Sequence, residues 1–242
     1  MLNTWMIVPT YNEAANLPSV LARIAKLEQS PQVLIVDDNS PDGTGRLADE
    51  LRLKYEFLHV LHRQSKLGLG SAYRAGFHYA LEHGAEAVGE MDADLSHAPE
   101  DIPRLVQAVA QGAEVAIGSR RVPGGRVVGW SWWRHLESWG AMTVARLLLK
   151  LKARDVTSGF RLYTKQVLDK IPWAQVKSDG YAWQEEILFL CERTHLKIIE
   201  VPVVFVDRKF GATKLSLDSI FEFFITLLRL RFFSDQRFNI KR

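Results

Sequence analysis

The first half of the chain alternates short apolar runs with amphipathic stretches, and this alternation limits the fold more than any other feature. Strand candidates at 4–9 (TWMIVP), 32–37 (QVLIVD), 57–61 (FLHVL), 86–91 (EAVGEM) and 113–118 (AEVAIG) are separated by helix candidates at 13–28, 43–55, 69–83 and 99–111. In the first helix candidate Leu17, Val20, Leu21, Ile24 and Leu27 share one face at three- and four-residue spacing. Gly84 and Gly112 are natural helix stops. Strands alternating with helices make a mostly parallel central sheet flanked by helices on both faces, so the chain is predicted to be α/β. In such sheets the ligand sits beyond the carboxyl ends of the strands.

The second half is less regular. Residues 120–133 read as a glycine- and tryptophan-rich loop, followed by helices at 134–151 and 181–195 and a strand at 197–208 (KIIEVPVVFVDR). A loop at 210–214 (FGATK) then leads to an aromatic helix candidate at 215–233. That last stretch has no more than six consecutive uncharged residues, Phe223 to Leu228, whereas a membrane-spanning helix needs roughly 20 mostly apolar ones. The first residues pass straight into a strand, so no signal peptide is expected. One cysteine, Cys191, excludes an intrachain disulfide and fits a reducing compartment.

Charge is unevenly spread. Residues 119–154 carry eight Lys/Arg against the single acidic Glu137, and 229–242 carry five against Asp235, in a chain of net charge +3. Two basic zones on an otherwise acidic protein point to anionic partners at defined places, not to nucleic acid along a general basic surface. Four of the seven tryptophans (Trp130, Trp132, Trp133, Trp139) lie inside the first zone. Tryptophan beside Arg and Lys suits a membrane interface, where the rings sit at headgroup level and the cations meet anionic lipid.

Three strand ends are acidic or polar: Thr10–Glu13 in VPTYNE, Asp37 and Asp38 in VDDNSPDGT, and Asp92 and Asp94 in EMDADLSH. All three should meet at one edge of the sheet. Asp92 and Asp94 project to the same side of extended backbone. Two carboxylates so close repel unless a cation lies between them. Mg²⁺ or Mn²⁺ resolves the conflict, taking one or two carboxylates plus water and substrate phosphates. Ser96 can add an oxygen ligand or hydrogen-bond to one. No glycine-rich phosphate loop is present, and the G-x-G within 66–76 lacks the strand and spacing of a dinucleotide fingerprint. A nicotinamide dehydrogenase is disfavoured for that reason. Phosphate is then held by the metal and by cationic side chains. Candidates are Arg120 in GSRRVPGG and the pair Arg208 and Lys214 in DRKFGATK, a loop that Gly211 makes able to close.

Taken together, VPTYNE, VDDNSPDGT, MDADLSH, GSRRVPGG, SGFRLY (158–163) and VDRKFGATK resemble the dolichyl- or polyprenyl-phosphate mannose synthases, inverting family-2 glycosyltransferases of the GT-A fold. The resemblance runs in order from about residue 4 to 214. It implies that Pro9, Tyr11, Glu13, Val36 and Asp38 line the nucleotide pocket and that Asp92, Ala93 and Asp94 form the metal and diphosphate segment, with Ser96 as third ligand. Arg120 and Arg134 would meet phosphates, and Arg208 and Lys214 would belong to the closing loop. The implied organisation is a catalytic GT-A domain over 1–214, whose 120–152 segment faces acceptor and membrane, and a C-terminal amphipathic helix with a basic tail over 215–242. The implied partners are GDP-mannose, a polyprenyl or dolichyl phosphate, and the cytoplasmic face of a membrane, bound peripherally. Some relatives also rely on a membrane-anchoring partner protein.

The chemistry agrees. A phosphate monoester is largely dianionic at neutral pH, with a second pKa of about 6, and can attack an anomeric carbon without a dedicated base. The protein must instead hold two anions together, which calls for a metal and several cations. Rival readings are glucosyl transfer from UDP-glucose to polyprenyl phosphate, or transfer to a glycan hydroxyl, which needs a general base. Glu186 in YAWQEE is the one candidate for that base. A non-enzymatic rival, a membrane adaptor with a degenerate nucleotide fold, is opposed by the intact Asp92/Asp94 pair.

Overall fold

The computed structural model describes residues 2–180, 182–207 and 223–232. Seven strands form the main sheet: β1 (Thr4–Thr10), β2 (Gln32–Asp37), β3 (Leu58–His62), β4 (Ala87–Glu90), β5 (Val115–Ser119), β7 (Arg161–Thr164) and β8 (Ile198–Pro202). Their order is β3-β2-β1-β4-β7-β5-β8. All neighbours are parallel except β7, which runs antiparallel between β4 and β5. A second, two-stranded sheet pairs β6 (Arg126–Val128) with β9 (Val204–Val206) in parallel.

The helices are α1 (Leu17–Ile24), α2 (Thr44–Arg52), α3 (Leu69–Glu82), α4 (Ile102–Ala110), α5 (Trp132–Leu149), α6 (Lys165–Lys170) and α7 (Trp183–Arg193), with a further helical stretch at 223–232. β1, β2 and β5 are mostly apolar and buried because both sheet faces are covered there. Alternate residues feed two separate cores. Ile7, Leu34, Val36, Val88 and Tyr163 pack with Phe77, Met142, Trp183 and Ile187 on one side. Met6, Val8, Val33, Ile35 and Leu162 pack with Leu17, Leu21, Ala48 and Leu105 on the other. Gly76 lets α3 approach the sheet, since a Cβ there would lie 2.4 Å from Ile7 Cγ2.

The predicted strands and helices of the first half are present, with α1 shorter than the 13–28 pattern. Differences gather in the second half. The expected loop at 120–133 contains β6, and the expected strand at 197–208 is divided into β8 and β9 at Val203. The central antiparallel β7 had not been expected. Leu227 and Leu230 of the 223–232 helix are buried in the first core, while Phe224, Ile225, Leu228 and Phe232 are exposed. The expected boundary at 214/215 lies outside the described residues, as do Arg208 and Lys214.

Candidate active site

The loops after β1, β2 and β4 do meet at one edge. The first two are tied together by side chains. Asn12 N–H donates to Ser40 Oγ (3.1 Å), Glu13 N–H to Thr44 Oγ1 (2.9 Å) and Ala14 N–H to Asp42 Oδ2 (3.1 Å). Asp37 accepts from Ser40 Oγ and Thr10 Oγ1 and so shapes the turn. Asp38 differs. It is buried and faces Arg63, 3.1 Å from Nη1. Burial raises its carboxyl above the ordinary range, against the pull of the Arg63 guanidinium. Pro9 and Val36 are register partners across β1 and β2 just below this edge. The Tyr11 ring lies 4.3 Å from Lys66 Nζ. Five of the expected nucleotide-pocket residues are thus brought to one place.

The Asp92–His97 turn leaves β4 beside them. Leu95 takes a left-handed φ of 63°, uncommon for such a residue, and Ser96 N–H donates to Asp94 Oδ1 at 3.0 Å, closing an Asx turn. Ala93 is buried beneath it. His97 is also buried, stacked on Phe160, and its Nδ1 lies 3.4 Å from the Asp92 backbone N–H. Burial lowers its pKa to about 4, so it braces the turn as a neutral acceptor and supplies no positive charge to the two aspartates.

The donor set fits a divalent ion completed by substrate. Two carboxylates stand one residue apart on a turn, and among the described residues no group of three or more His, Cys, Asp and Glu is placed to hold a metal. An open shell of one or two carboxylates is what Mg²⁺ takes when phosphates provide the remainder. Ser96 is 2% exposed. Its backbone shapes the turn, and its carbonyl accepts from Val206 N–H of β9.

Cations lie across from the turn. Arg120, at the end of β5, donates to both oxygens of Asp155 (2.7 and 2.6 Å) and to Thr157 Oγ1 (2.6 Å). Burial alone would raise the Asp155 carboxyl, yet Arg120 holds it below the ordinary range. Arg134, in the first turn of α5, pairs with Asp207 at 2.8 Å. Both guanidinium groups border the Trp130 ring, at 5.9 and 4.5 Å. Arg120 and Arg134 therefore belong to one cluster, and Asp207 leads directly into the closing-loop sequence.

Sequence reasoning missed the buried frame behind the turn. Buried Glu90, Arg161, Asp155 and Gln184, and half-buried Asp207, were not singled out. Glu90 accepts from Trp183 Nε1 (2.9 Å) and Gln184 Nε2 (2.8 Å), and faces Arg161 across β4 and β7. Arg161 donates to the carbonyls of Ser158, Gln184 and Val156. A charged residue closing an apolar strand was the available signal. Glu186 has a structural role: its buried Oε2 accepts from Lys177 N–H, Ser178 N–H and Arg229 Nη2.

The model of a known family, Glycosyl transferase family 2, matches residues 5–172. The chain belongs to glycosyl transferase family 2. Its family-2 sequence is 46% identical over 220 residues to the polyprenol monophosphomannose synthase of Mycolicibacterium smegmatis, covering 90% of this chain and 83% of that one. It is 45% identical over 210 residues to the undecaprenyl-phosphate mannosyltransferase of Micrococcus luteus, covering 87% and 86%. Among solved structures, the mannosyl-3-phosphoglycerate synthase of Rubrobacter xylanophilus superposes with a TM-score of 0.70 at 17% identity, over 98% of this chain and 75% of that one. The mannosyltransferase PcManGT of Pyrobaculum calidifontis, in complex with GDP-Man and Mn²⁺, gives 0.61 at 19%, over 94% and 64%. The fold is GT-A-like, and this family-2 protein is a glycosyltransferase.

Proposed function

We propose that the enzyme transfers mannose from GDP-mannose to a polyprenyl phosphate with inversion, giving polyprenyl-phosphate mannose. The observation that carries this reading is the 46% identity over 220 residues to a polyprenol monophosphomannose synthase. The side-chain arrangement agrees with it. Pro9, Tyr11, Glu13, Val36 and Asp38 hold the nucleoside. Asp92 and Asp94, with Ser96 behind them, hold Mg²⁺ or Mn²⁺, which when bound neutralises the leaving diphosphate. Arg120 and Arg134, with Arg208 and Lys214 of the closing loop, bring the acceptor phosphate alongside. The catalytic unit spans 1–214.

A hydroxyl acceptor would need a base. Glu186 is engaged by three donors, whereas a phosphate acceptor supplies its own nucleophile. The enzyme works peripherally on the cytoplasmic face of a membrane, with or without an anchoring partner protein. Among the described residues no helix is long and apolar enough to cross a bilayer. One face of α5 instead exposes Trp132, Leu136, Trp139 and Leu147, with the stacked pair Trp132 and Trp133 at its start.

The test incubates purified protein with polyprenyl phosphate, Mg²⁺ or Mn²⁺ and a panel of sugar nucleotides, and reads lipid products by mass spectrometry. A mannosyl lipid from GDP-mannose is expected. A glycosyl lipid formed from UDP-glucose and not from GDP-mannose overturns the donor.

A further inference from the structure

The chain that leaves α5 is held by side chains where a strand would be held by backbone. Over 151–155 burial alternates, with Leu151, Ala153 and Asp155 inside and Lys152 and Arg154 outside, as in an extended segment. The segment belongs to no strand. Its four successive backbone N–H groups donate instead to two carboxylates. Lys152 and Ala153 N–H each lie 2.9 Å from Glu192 Oε1, and Lys152 N–H also lies 2.7 Å from Oε2. Arg154 N–H donates to Glu200 Oε2 at 2.8 Å, and Asp155 N–H to Glu200 Oε1 at 3.0 Å.

Asp155 is the residue that grips Arg120. It accepts from the Arg120 backbone N–H at 2.8 Å as well as from Nε and Nη2. One pair of strands therefore sets both partners. Arg120 follows directly on β5, and Glu200 stands on β8 opposite Ile117 of β5. The β5–β8 register fixes where Arg120 leaves the sheet and where Asp155 is anchored to meet it. On the other side, α5 with its exposed Trp132 and Trp139 ends at Leu149, just before the segment. Without the two carboxylates a displacement of α5 would pass along the chain to Asp155.

We infer that Glu200 is a positioning residue for the transfer: by holding the Arg154 and Asp155 amides on β8 it fixes Asp155, and through Asp155 the plane of the Arg120 guanidinium. The inference rests on the reading above that Arg120 meets the acceptor phosphate. Glu200 itself is turned to the backbone of 154–155 and acts by geometry, since a guanidinium fork recognises phosphate in a fixed plane and direction. The two carboxylates differ in what they can lose. Glu192 Oε1 alone reaches both of its amides, so the single oxygen of a glutamine serves both. The Glu200 oxygens are each committed to a different N–H, and a glutamine there sets an NH₂ donor against one of them.

The experiment compares Glu200→Gln with Glu192→Gln through two readouts. The first is the NMR resonance of the Arg120 Nε–H group, identified by its loss in Arg120→Lys. Glu200→Gln is expected to shift it and to speed its exchange with solvent by about tenfold, the size of one hydrogen bond, while Glu192→Gln leaves it in place. The second is steady-state transfer from GDP-mannose to polyprenyl phosphate with Mg²⁺. Glu200→Gln is expected to raise KM for polyprenyl phosphate by about tenfold and to leave KM for GDP-mannose within about twofold, less than the roughly 10²-fold that an ångström of misplacement can cost. Where Glu200→Gln does not fold, Glu200→Asp, which keeps both acceptor oxygens on a shorter tether, takes its place with the same two expectations. An Arg120 resonance unmoved in the Glu200 variant, or moved equally in Glu192→Gln, overturns the inference, as do equal rises in the two KM values. A wild type that forms no mannosyl lipid overturns the acceptor reading instead, and the resonance then decides alone whether Glu200 positions Arg120.

Discussion

Arg120 grips Asp155 through both Nε and Nη2, at 2.7 and 2.6 Å, and Asp155 is wholly buried. Removing one member of such a pair leaves an unpaired buried charge. Asp155→Ala is expected to lose about 3–5 kcal/mol of stability, measured by urea unfolding. Arg120→Lys is expected to lose activity as well, because an ammonium cannot reproduce the two-pronged contact. Wild-type stability in Asp155→Ala would refute the structural role of the pair.

Metal removal gives a second expectation. Chelation with EDTA should abolish transfer, and Mg²⁺ or Mn²⁺ should restore it. Asp94→Ala should not be restored by either ion, while its thermal midpoint stays close to that of wild type. Full activity in Asp94→Ala would refute the assignment of the turn.

Glu185 gives stability a pH dependence. Burial pushes its carboxyl up to about 8, above its ordinary value. A raised folded-state pKa contributes stability that is complete below the unfolded value near 4.5 and is lost as pH rises through about 8. Within that window the loss is about 1.4 kcal/mol per pH unit. Denaturant melts from pH 5 upward should therefore show a flatter decline in Glu185→Gln than in wild type. Parallel declines would place the charged carboxylate in the fold.

The exposed face of α5 is tested with vesicles. Wild type should float with vesicles containing anionic lipid, and Trp132→Ser/Trp139→Ser should remain largely in the soluble fraction while unfolding at the wild-type midpoint. Equal flotation would move the docking surface elsewhere.

Glu186 separates acceptor classes. Glu186→Gln breaks a hub of three donors and should lower the thermal midpoint, yet leave kcat per folded molecule within a few-fold. A loss of about 10² or more in kcat, the size of general-base catalysis, would favour a hydroxyl acceptor.

Much of this was legible in the sequence for local reasons. β1, β2 and β4 are apolar runs flanked by periodic helices, and the acidic residues at their ends need only the parallel-sheet rule to converge. Asp92 and Asp94 could be paired from spacing alone. The frame could not. Arg161 meets Glu90 only because β7 enters antiparallel beside β4, and four residues, Arg161–Thr164, make a weak strand signal. Asp155 reaches Arg120 across 35 positions, and Gln184 reaches Glu90 across 94. No local pattern encodes such partners. Val203 interrupts an apolar stretch that reads as one strand, although its two halves serve different sheets.

The position of β7 also orders events during synthesis. β4 and β5 follow one another as strands of the main sheet but never touch, because the strand between them is made from residues 161–164. A nascent chain ending after β5 can form β1 to β4 but lacks the strand that joins them to β5. Glu90 is then without the opposing Arg161, and the Asp92 turn lacks the Gly159 loop at its side. The surroundings of the Asp92 turn are thus complete only once residues 161–164 have been made. A product truncated after β5 would carry the Asp92 turn without the strand and the loop that complete its surroundings.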